Sequence, residues 1–572
     1  ILRCLVGSEM CIRDRSITMF KCKQLLRRIC VVSYVFLLCG GLVNASNLVS
    51  KTNTLIGTQG NGWASGYLYP GATYPFGMVQ FTPTYFTKQL GFVINQLSGA
   101  GCDHMGNFPT LPVAGALRVS PDSILNMQTP VGKEIGTAGY YAATVDHSIR
   151  AELTVTERTG MARYTFSSKE KQGTVIIGGG VAATPIQVAA IKITGPHSCE
   201  GYAEGGAFCG IPTPYKVYFV AEFDADAESF GTWKEERLHA NHTFAEGSHS
   251  GVYFTFPLKE GNQAVQYKIG VSYVSVENAR ENLRVENPAW DFSAVRQATQ
   301  DKWNEYLGKI EVEGDNEDRQ MQFYTHLYRS LIHPNVCSDV NGEYMGADSQ
   351  VHKTARKFYT SFSNWDTYRT QTALIAMLAP EETSDIVMSH YLFAEQSGGG
   401  FPRWVLANIE TGVMQGDPTP ILVANAYAFG ARNYDPRTLL RTMRYGAEVP
   451  GANSQGVLTR PGLEQYLEKG YYDASILLEY TSSDFAIGRF ALQACNDEPV
   501  CNWYTQRAMN WKNLFNKETG WLQSRNEDGS WKRYDADWRE STYKNYFWMV
   551  PYDLQGLIDS ICLLYTSDAA DE

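Results

Sequence analysis

The stretch from Tyr359 to Asp417 gathers the side chains best suited to chemistry on a polar, ring-shaped ligand. It opens YTSFSNWDTYRTQ, which sets Trp365, Asp366, Tyr368 and Arg369 together ahead of an apolar helical run from Thr372 to Leu378. It closes GGGFPRWVLANIETGVMQGDP, in which Gly398, Gly399 and Gly400 lead into Phe401, Pro402, Arg403 and Trp404. Indoles stack on the C–H faces of pyranose rings, and carboxylates and guanidinium forks bind ring hydroxyls in pairs. The stretch is too polar for a core segment and too aromatic for a solvated loop. Singly, Trp365 or Trp404 reads as a core aromatic and the glycine run as a turn. As a constellation they read as a carbohydrate site.

Two kinds of element must position these loops. From Ser46 to about Val285 the pattern is β: Glu152–Thr156, Tyr215–Phe223 and Tyr267–Val276 alternate apolar with polar residues, the mark of half-buried antiparallel strands. Many short strands over such a length predict a β-sandwich. At about Asn278 the period changes, and Asn278 to Leu307 reads as linker helices. Met321, Tyr324, Leu327, Tyr328 and Leu331 then fall on one helical face. Helical signals follow at Ser384–Gln396, Ile421–Ala431, Arg437–Tyr445, Tyr472–Tyr480, Asp484–Ala494 and Trp503–Leu514. Helices joined by long aromatic, Gly-rich loops suit a helical toroid with its site at one mouth.

The two ends read differently from the rest. Met10–Asp14 and Cys562–Thr566 can be encoded by one string of DNA and its reverse complement, the pattern of a sequencing adapter translated at both ends. Residues 1–18 and 562–572 are therefore expected to be adapter-derived or upstream sequence, and the natural chain to continue past Ile561. Residues 19–45 carry a basic start (Lys21, Lys23, Arg27, Arg28), an apolar stretch from Val31 to Leu42 and a small-x-small site at Val43–Ala45. That is a signal peptide, too short for a stable anchor, and predicts a periplasmic or secreted protein. Cys39 is a weaker lipoprotein candidate, because Leu38 stands where a small residue is expected.

Of twelve cysteines, Cys102, Cys199, Cys209, Cys337, Cys495 and Cys501 remain. In an exported chain the close pairs Cys199/Cys209 and Cys495/Cys501 are candidate disulfides, with free buried thiols as the alternative. No CxxC pair supports a structural zinc site. A net charge of -11 without a basic patch argues against nucleic acid as a partner.

Six blocks in order resemble a known family. They are LIGTQGNG with YPGATYPFGMVQFTP, LSGAGCDHMGN, FYTHLYRSLIHPNVCSDVNGEYMG, FYTSFSNWDTYRTQ, GGGFPRWVLANIETGVMQGDP and WRESTYKNYFWMVPYDLQGL. Together they resemble glycoside hydrolase family 92, the exo-acting α-mannosidases. The resemblance implies a β-sandwich at 46–285, a helical linker at 286–312 and an (α/α)6 catalytic toroid at 313–561, incomplete in this chain. It implies calcium-dependent removal of terminal α-mannose from glycans in one inverting displacement. The last block places the general acid at Glu540, and Trp538, Tyr546 and Trp548 are expected to help raise its pKa by desolvation. The resemblance puts Trp365 and Asp366 against the terminal mannose, Arg403 and Trp404 beside it, and Asn408 and Glu410 behind them in support. Asp417 is expected to be a loop or capping residue.

The metal ligands, and the paired aspartates that serve as base in a GNDD-like block, are expected beyond this sequence, so the fragment is expected to be inactive. The N-terminal loop GNGWASGYLYPG departs from the family form, and Gln96 and Asn107 stand where a histidine and an aspartate are common. Trp63, Tyr67 and Tyr69 are candidates for a replacement wall, with packing in the sandwich as the alternative. His104, beside Cys102 and Asp103, reads as a loop histidine satisfied by backbone. Three alternatives stay open: another inverting (α/α)6 hydrolase or phosphorylase, a mannosyl-phosphodiester mannosidase of the same family, and a non-catalytic glycan-binding protein.

Overall fold

The computed structural model describes residues 47–58, 67–83, 91–122, 131–261 and 263–568, the side chains of 563–568 excepted. Residues 1–47 separate as a unit of their own, of which only Asn47 is described. The adapter reading of 1–18, the signal peptide at 19–45 and Trp63 therefore lie outside the described residues. Everything from Leu48 onward forms the second unit.

The N-terminal half is two antiparallel sheets, as the period-2 alternation predicts. The larger runs Phe244–Glu246, Ile186–Gly195, Ser198–Phe208, Ile211–Phe223, Ala264–Ser272, Thr159–Thr165, Ile149–Val155, Tyr140–Val145 and Val131–Thr137. The other is built around Thr110–Ala114, Gln172–Ile177, Ser250–Pro257 and Ser229–Lys234. Their inner faces meet in one core of Phe92, Tyr164, Phe219, Trp233, Phe254, Tyr267 and their neighbours. Burying such aromatics stabilises a sandwich by about 25 cal/mol per Å² of apolar area.

Helices begin at Val276–Glu286, capped by Ser275, and Phe292–Leu307, capped by Asp291. Both clasp the sandwich: the Trp303 indole donates to the Thr73 carbonyl at 2.7 Å, and Asp339 accepts from Ser272, Asn278 and Asn282. The helical half follows with Glu317–Ser330, Gln371–Leu378, Pro380–Ser397, Thr419–Ala428, Pro436–Glu448, Ala474–Cys495 and Glu498–Ala508. Among the described residues these do not close a ring. The last helix, Leu554–Asp568, crosses the boundary expected at Ile561. No described helix is long and apolar enough to cross a membrane.

Two readings are corrected. Tyr472–Tyr480 and Asp484–Ala494 are one 22-residue helix, Ala474–Cys495. The polar run that read as a break is buried, because the hydroxyls of Thr481, Ser482 and Ser483 bond back to the carbonyls of Leu478 and Glu479. Among the described residues the disulfide is Cys102–Cys209, while Cys199, Cys337, Cys495 and Cys501 are free and buried, the alternative held open for the two close pairs. Cys199 and Cys209 stand at opposite ends of the strand Ser198–Phe208, roughly 30 Å apart at strand rise, so closeness in sequence kept them apart in space.

Candidate active site

The short helix Asn364–Thr367 sets Trp365 half-buried and Asp366 solvent-accessible at a break between strand and helix. Asn364 anchors it by donating to the Pro402 carbonyl and the Thr419 hydroxyl. The Ser363 hydroxyl donates to Asp366. Surrounding protein still desolvates the Asp366 carboxyl enough to raise its pKa, against the pull of Ser363 and Arg369. The Arg369 guanidinium lies 5.0 Å from the Trp365 ring centre and 4.8 Å from that of Tyr368.

A residue that sequence reasoning missed organises this face. Glu479, wholly buried in the helix Ala474–Cys495, accepts from Trp365 Nε1 at 3.0 Å, Arg369 Nη2 at 3.2 Å and the Tyr368 hydroxyl at 3.1 Å. Burial raises its pKa, and Arg369, Tyr368 and Trp365 oppose the rise. Its only signal in the sequence is an acid inside the apolar run ILLEY, which also fits the polar stripe of an amphipathic helix.

The GGGFPRW loop behaves differently from its expected part. Gly398 and Gly399 have φ of 118° and 87°, and a Cβ on Gly400 would lie 2.2 Å from the Thr459 hydroxyl, so glycines are required for the chain to turn there. Arg403 is buried, with its guanidinium spent on the carbonyls of Gly416, Met414, Leu458 and Thr459. Trp404 is 5% exposed and packs on Phe208 of the sandwich, ring centres 4.3 Å apart. Glu410 accepts from the backbone N–H groups of Arg403, Trp404 and Gly412, and burial raises its pKa. Asn408 donates to the Gly346 carbonyl. Arg403, Glu410 and Asn408 build the loop and brace it within the helical half, and Trp404 ties it to the sandwich; their functional groups face protein. The shallow recess behind the loop, lined by Phe401, Arg403, Glu410, Asp417, Leu458 and Thr459, does not include Trp365 or Asp366. Asp417 is ion-paired with buried Arg460 at 2.8 Å.

Glu540 lies on the loop before the helix Tyr543–Tyr546, exposed, with φ of 51°. A left-handed glutamate is strained backbone of the kind that gathers at functional sites. Tyr546 is buried and Trp538 half-buried, but Trp548 is 60% exposed, so the apolar enclosure expected around the carboxyl is not supplied by these three. The segment that follows Glu540 is tied once to the Trp365 face and once to the loop that ends at Asp417. Arg369 Nη1 reaches Met549 Sδ at 3.5 Å, and Gln415 donates to the Tyr546 hydroxyl at 3.2 Å.

Among the sandwich loops, Tyr69 is wholly buried with Trp303 and Tyr328, which is packing. His104 Nδ1 meets the Cys102 carbonyl at 2.6 Å, and burial lowers its pKa to about 4. Among the described residues no group of three or more His, Cys, Asp or Glu is placed to hold a metal ion. Glu410 is engaged by amides, Glu479 by its three donors, and Asp417 and Asp484 by arginines, while Asp366 accepts from Ser363 and Glu540 lies exposed, with no third acid or histidine grouped with them. The described residues do not fit a calcium centre.

An antiparallel sandwich followed by a helical domain that does not close a ring among the described residues is the architecture on the page. The glycosyl hydrolase family 92 N-terminal domain matches residues 52–272 and the family's catalytic domain matches 278–562. The chain belongs to glycosyl hydrolase family 92. It is similar to a family GH92 inverting mannosidase of Bacteroides thetaiotaomicron, 26% identical with a TM-score of 0.81, over 90% of this chain and 72% of that one. A GH92 α-mannosidase of the same organism shares the fold at 24% identity and a TM-score of 0.83, over 91% of this chain and 74% of that one. An uncharacterized secreted glycosidase of Arthroderma benhamiae is 25% identical over 609 residues, 90% of this chain and 72% of that protein.

Proposed function

We propose that this protein is an exported exo-α-mannosidase that releases terminal α-linked mannose from glycans with inversion. The observation that carries the reading is the Trp365–Asp366–Arg369 face, which Arg369 ties to Met549 on the segment that follows Glu540. An indole, a carboxylate and a guanidinium side by side offer a ring one apolar face and two kinds of hydroxyl partner. Trp365 stacks on the mannose, Asp366 accepts from its hydroxyls, and Arg403, Trp404, Asn408 and Glu410 keep the adjoining loop in place. Glu540 donates its proton to the glycosidic oxygen as the C1–O bond breaks. A base carboxylate takes a proton from the water that attacks C1 on the opposite face, the two carboxyl groups standing roughly 6.5–9.5 Å apart. A protonating Glu540 favours an ordinary glycosidic substrate, because a phosphate leaving group needs little protonation.

The family's base lies in a GNDD-like block, which does not occur in these 572 residues. We therefore hold that residues 1–572 alone do not turn over substrate. Family membership implies calcium dependence, which the chelator in the test below addresses. The secreted relative and the lack of a spanning helix among the described residues support export.

The test compares residues 1–572 with the same chain extended through whatever its gene encodes after Ile561, on an α-linked mannobiose followed by NMR. The extended chain releases β-mannose first, loses activity to a chelator, and drops at least about 100-fold on Glu540→Gln. Residues 1–572 release none. Activity that survives Glu540→Gln contradicts the acid assignment, and α-mannose as first product contradicts inversion.

A further inference from the structure

Glu479 stands in the middle of a buried helix with no surface exposure, where an acid persists only if its donors are supplied. All three donors come from one five-residue segment. Oε1 is shared between the Trp365 indole at 3.0 Å and the Arg369 guanidinium at 3.2 Å, and Oε2 takes the Tyr368 hydroxyl at 3.1 Å. The two groups on Oε1 flank Asp366 in sequence and extend from the buried anchor outward, Trp365 half-buried and Arg369 exposed. A structural ion pair would need Arg369 alone. Splitting one oxygen between an indole and a guanidinium fixes the distance between them.

The opposite side of the carboxylate is also held. Gly416 has φ of 77°, and a Cβ there would lie 2.6 Å from the Glu479 Cβ. The loop that Arg403 pins through the Gly416 carbonyl at 3.0 Å thus closes directly on the stem of Glu479. Gln415 beside it is braced by Ser475, one helical turn before Glu479, and donates to Tyr546 of the Glu540 loop.

We propose that Glu479 is a positioning residue: it holds the Trp365 indole and the Arg369 guanidinium in fixed relation on either side of Asp366, and so sets affinity for the sugar without touching it. This rests on the mannosidase reading.

The test titrates mannoimidazole into the extended wild-type chain of the preceding test and into its Glu479→Gln and Glu479→Leu variants by calorimetry with calcium present. Exchange of the Trp365 indole N–H is followed by NMR and the thermal midpoint is recorded. Glutamine keeps the shape and the fold but offers one weaker acceptor, so it binds about tenfold more weakly, with faster indole exchange. Leucine binds more weakly still. Lowered midpoints with wild-type affinity in Glu479→Gln mean a structural role only, and overturn the proposal while leaving the mannosidase reading intact. No saturable binding by the wild-type chain overturns both.

Discussion

Asp484, in the middle of the helix Ala474–Cys495, is held by two arginines. Wholly buried, it accepts from Arg460 at 2.7 Å, from Arg507 through Nε at 2.7 Å and through Nη2, and from the Tyr466 hydroxyl at 2.7 Å, while Arg460 turns its other edge to Asp417. Burial alone would raise its pKa; Arg507 and Arg460 outweigh burial and hold it below the ordinary carboxylate range. Asp484→Asn leaves two buried guanidinium groups facing one carboxylate, and urea unfolding should register a loss of about 3–5 kcal/mol near neutral pH. Because the folded pKa is depressed, the stabilisation is present above the unfolded value of about 4 and is lost as pH falls through the lower folded one. The gap between wild type and variant should therefore narrow on acidification below about pH 4. A gap independent of pH would show that the charge on Asp484 is not what stabilises the cluster. None of this was legible in the sequence, where Asp484 and Glu479 read as ordinary polar positions of helices. Trp365 and Asp366 stand out in the sequence as a pair suited to a sugar, and the structure leaves Asp366 exposed and Trp365 half-buried. The roles of Arg403 and Trp404 were not legible, since nothing in the string GGGFPRW tells whether a guanidinium faces ligand or its own loop's carbonyls.

Elements were read better than their joints. Period-2 strands and period-3.6 helices are properties of single segments, and Pro380–Ser397 and Pro436–Glu448 begin and end within a few residues of the expected spans. What failed depends on partners distant in sequence. Thr481–Ser483 looked like a break because hydroxyl-rich runs favour turns in isolation, yet the buried helix recruits those hydroxyls to its own carbonyls. The Cys102–Cys209 bridge spans 107 residues and joins the LSGAGCDHMGN loop to the hairpin that carries Phe208. Phe208 packs on Trp404, so the bridge supports the sandwich side of the site loop. Cys209→Ser should cost about 2–4 kcal/mol of stability by calorimetry. If the variant melts with wild type, the loop is held without the bridge.

At the scale of the molecule, sandwich and helical half share one core: Tyr344, Phe358, Trp404 and Leu406 cluster with Phe208, Phe219 and Tyr215. The site loop therefore sits on a joint between domains rather than within one. That architecture was foreseen from the change of period near Asn278 and the six ordered blocks. The C-terminal segment is less well covered. Trp548 is 60% exposed, and Leu554 and Ile558 are 44% and 46% exposed on the last helix. An apolar face of this kind promotes association, so residues 1–572 should elute as more than a monomer, and Trp548→Ser with Ile558→Ser should shift them toward one. Elution as a monomer without those substitutions would contradict that expectation. The account as a whole stands on the face built by Trp365, Asp366 and Arg369 being a mannose site. Calorimetric titration of mannoimidazole into the wild-type chain and Asp366→Asn tests it most directly. The account predicts saturable binding weakened at least about thirtyfold by the substitution, with the thermal midpoint little changed. No binding, or equal binding by both proteins, would contradict it.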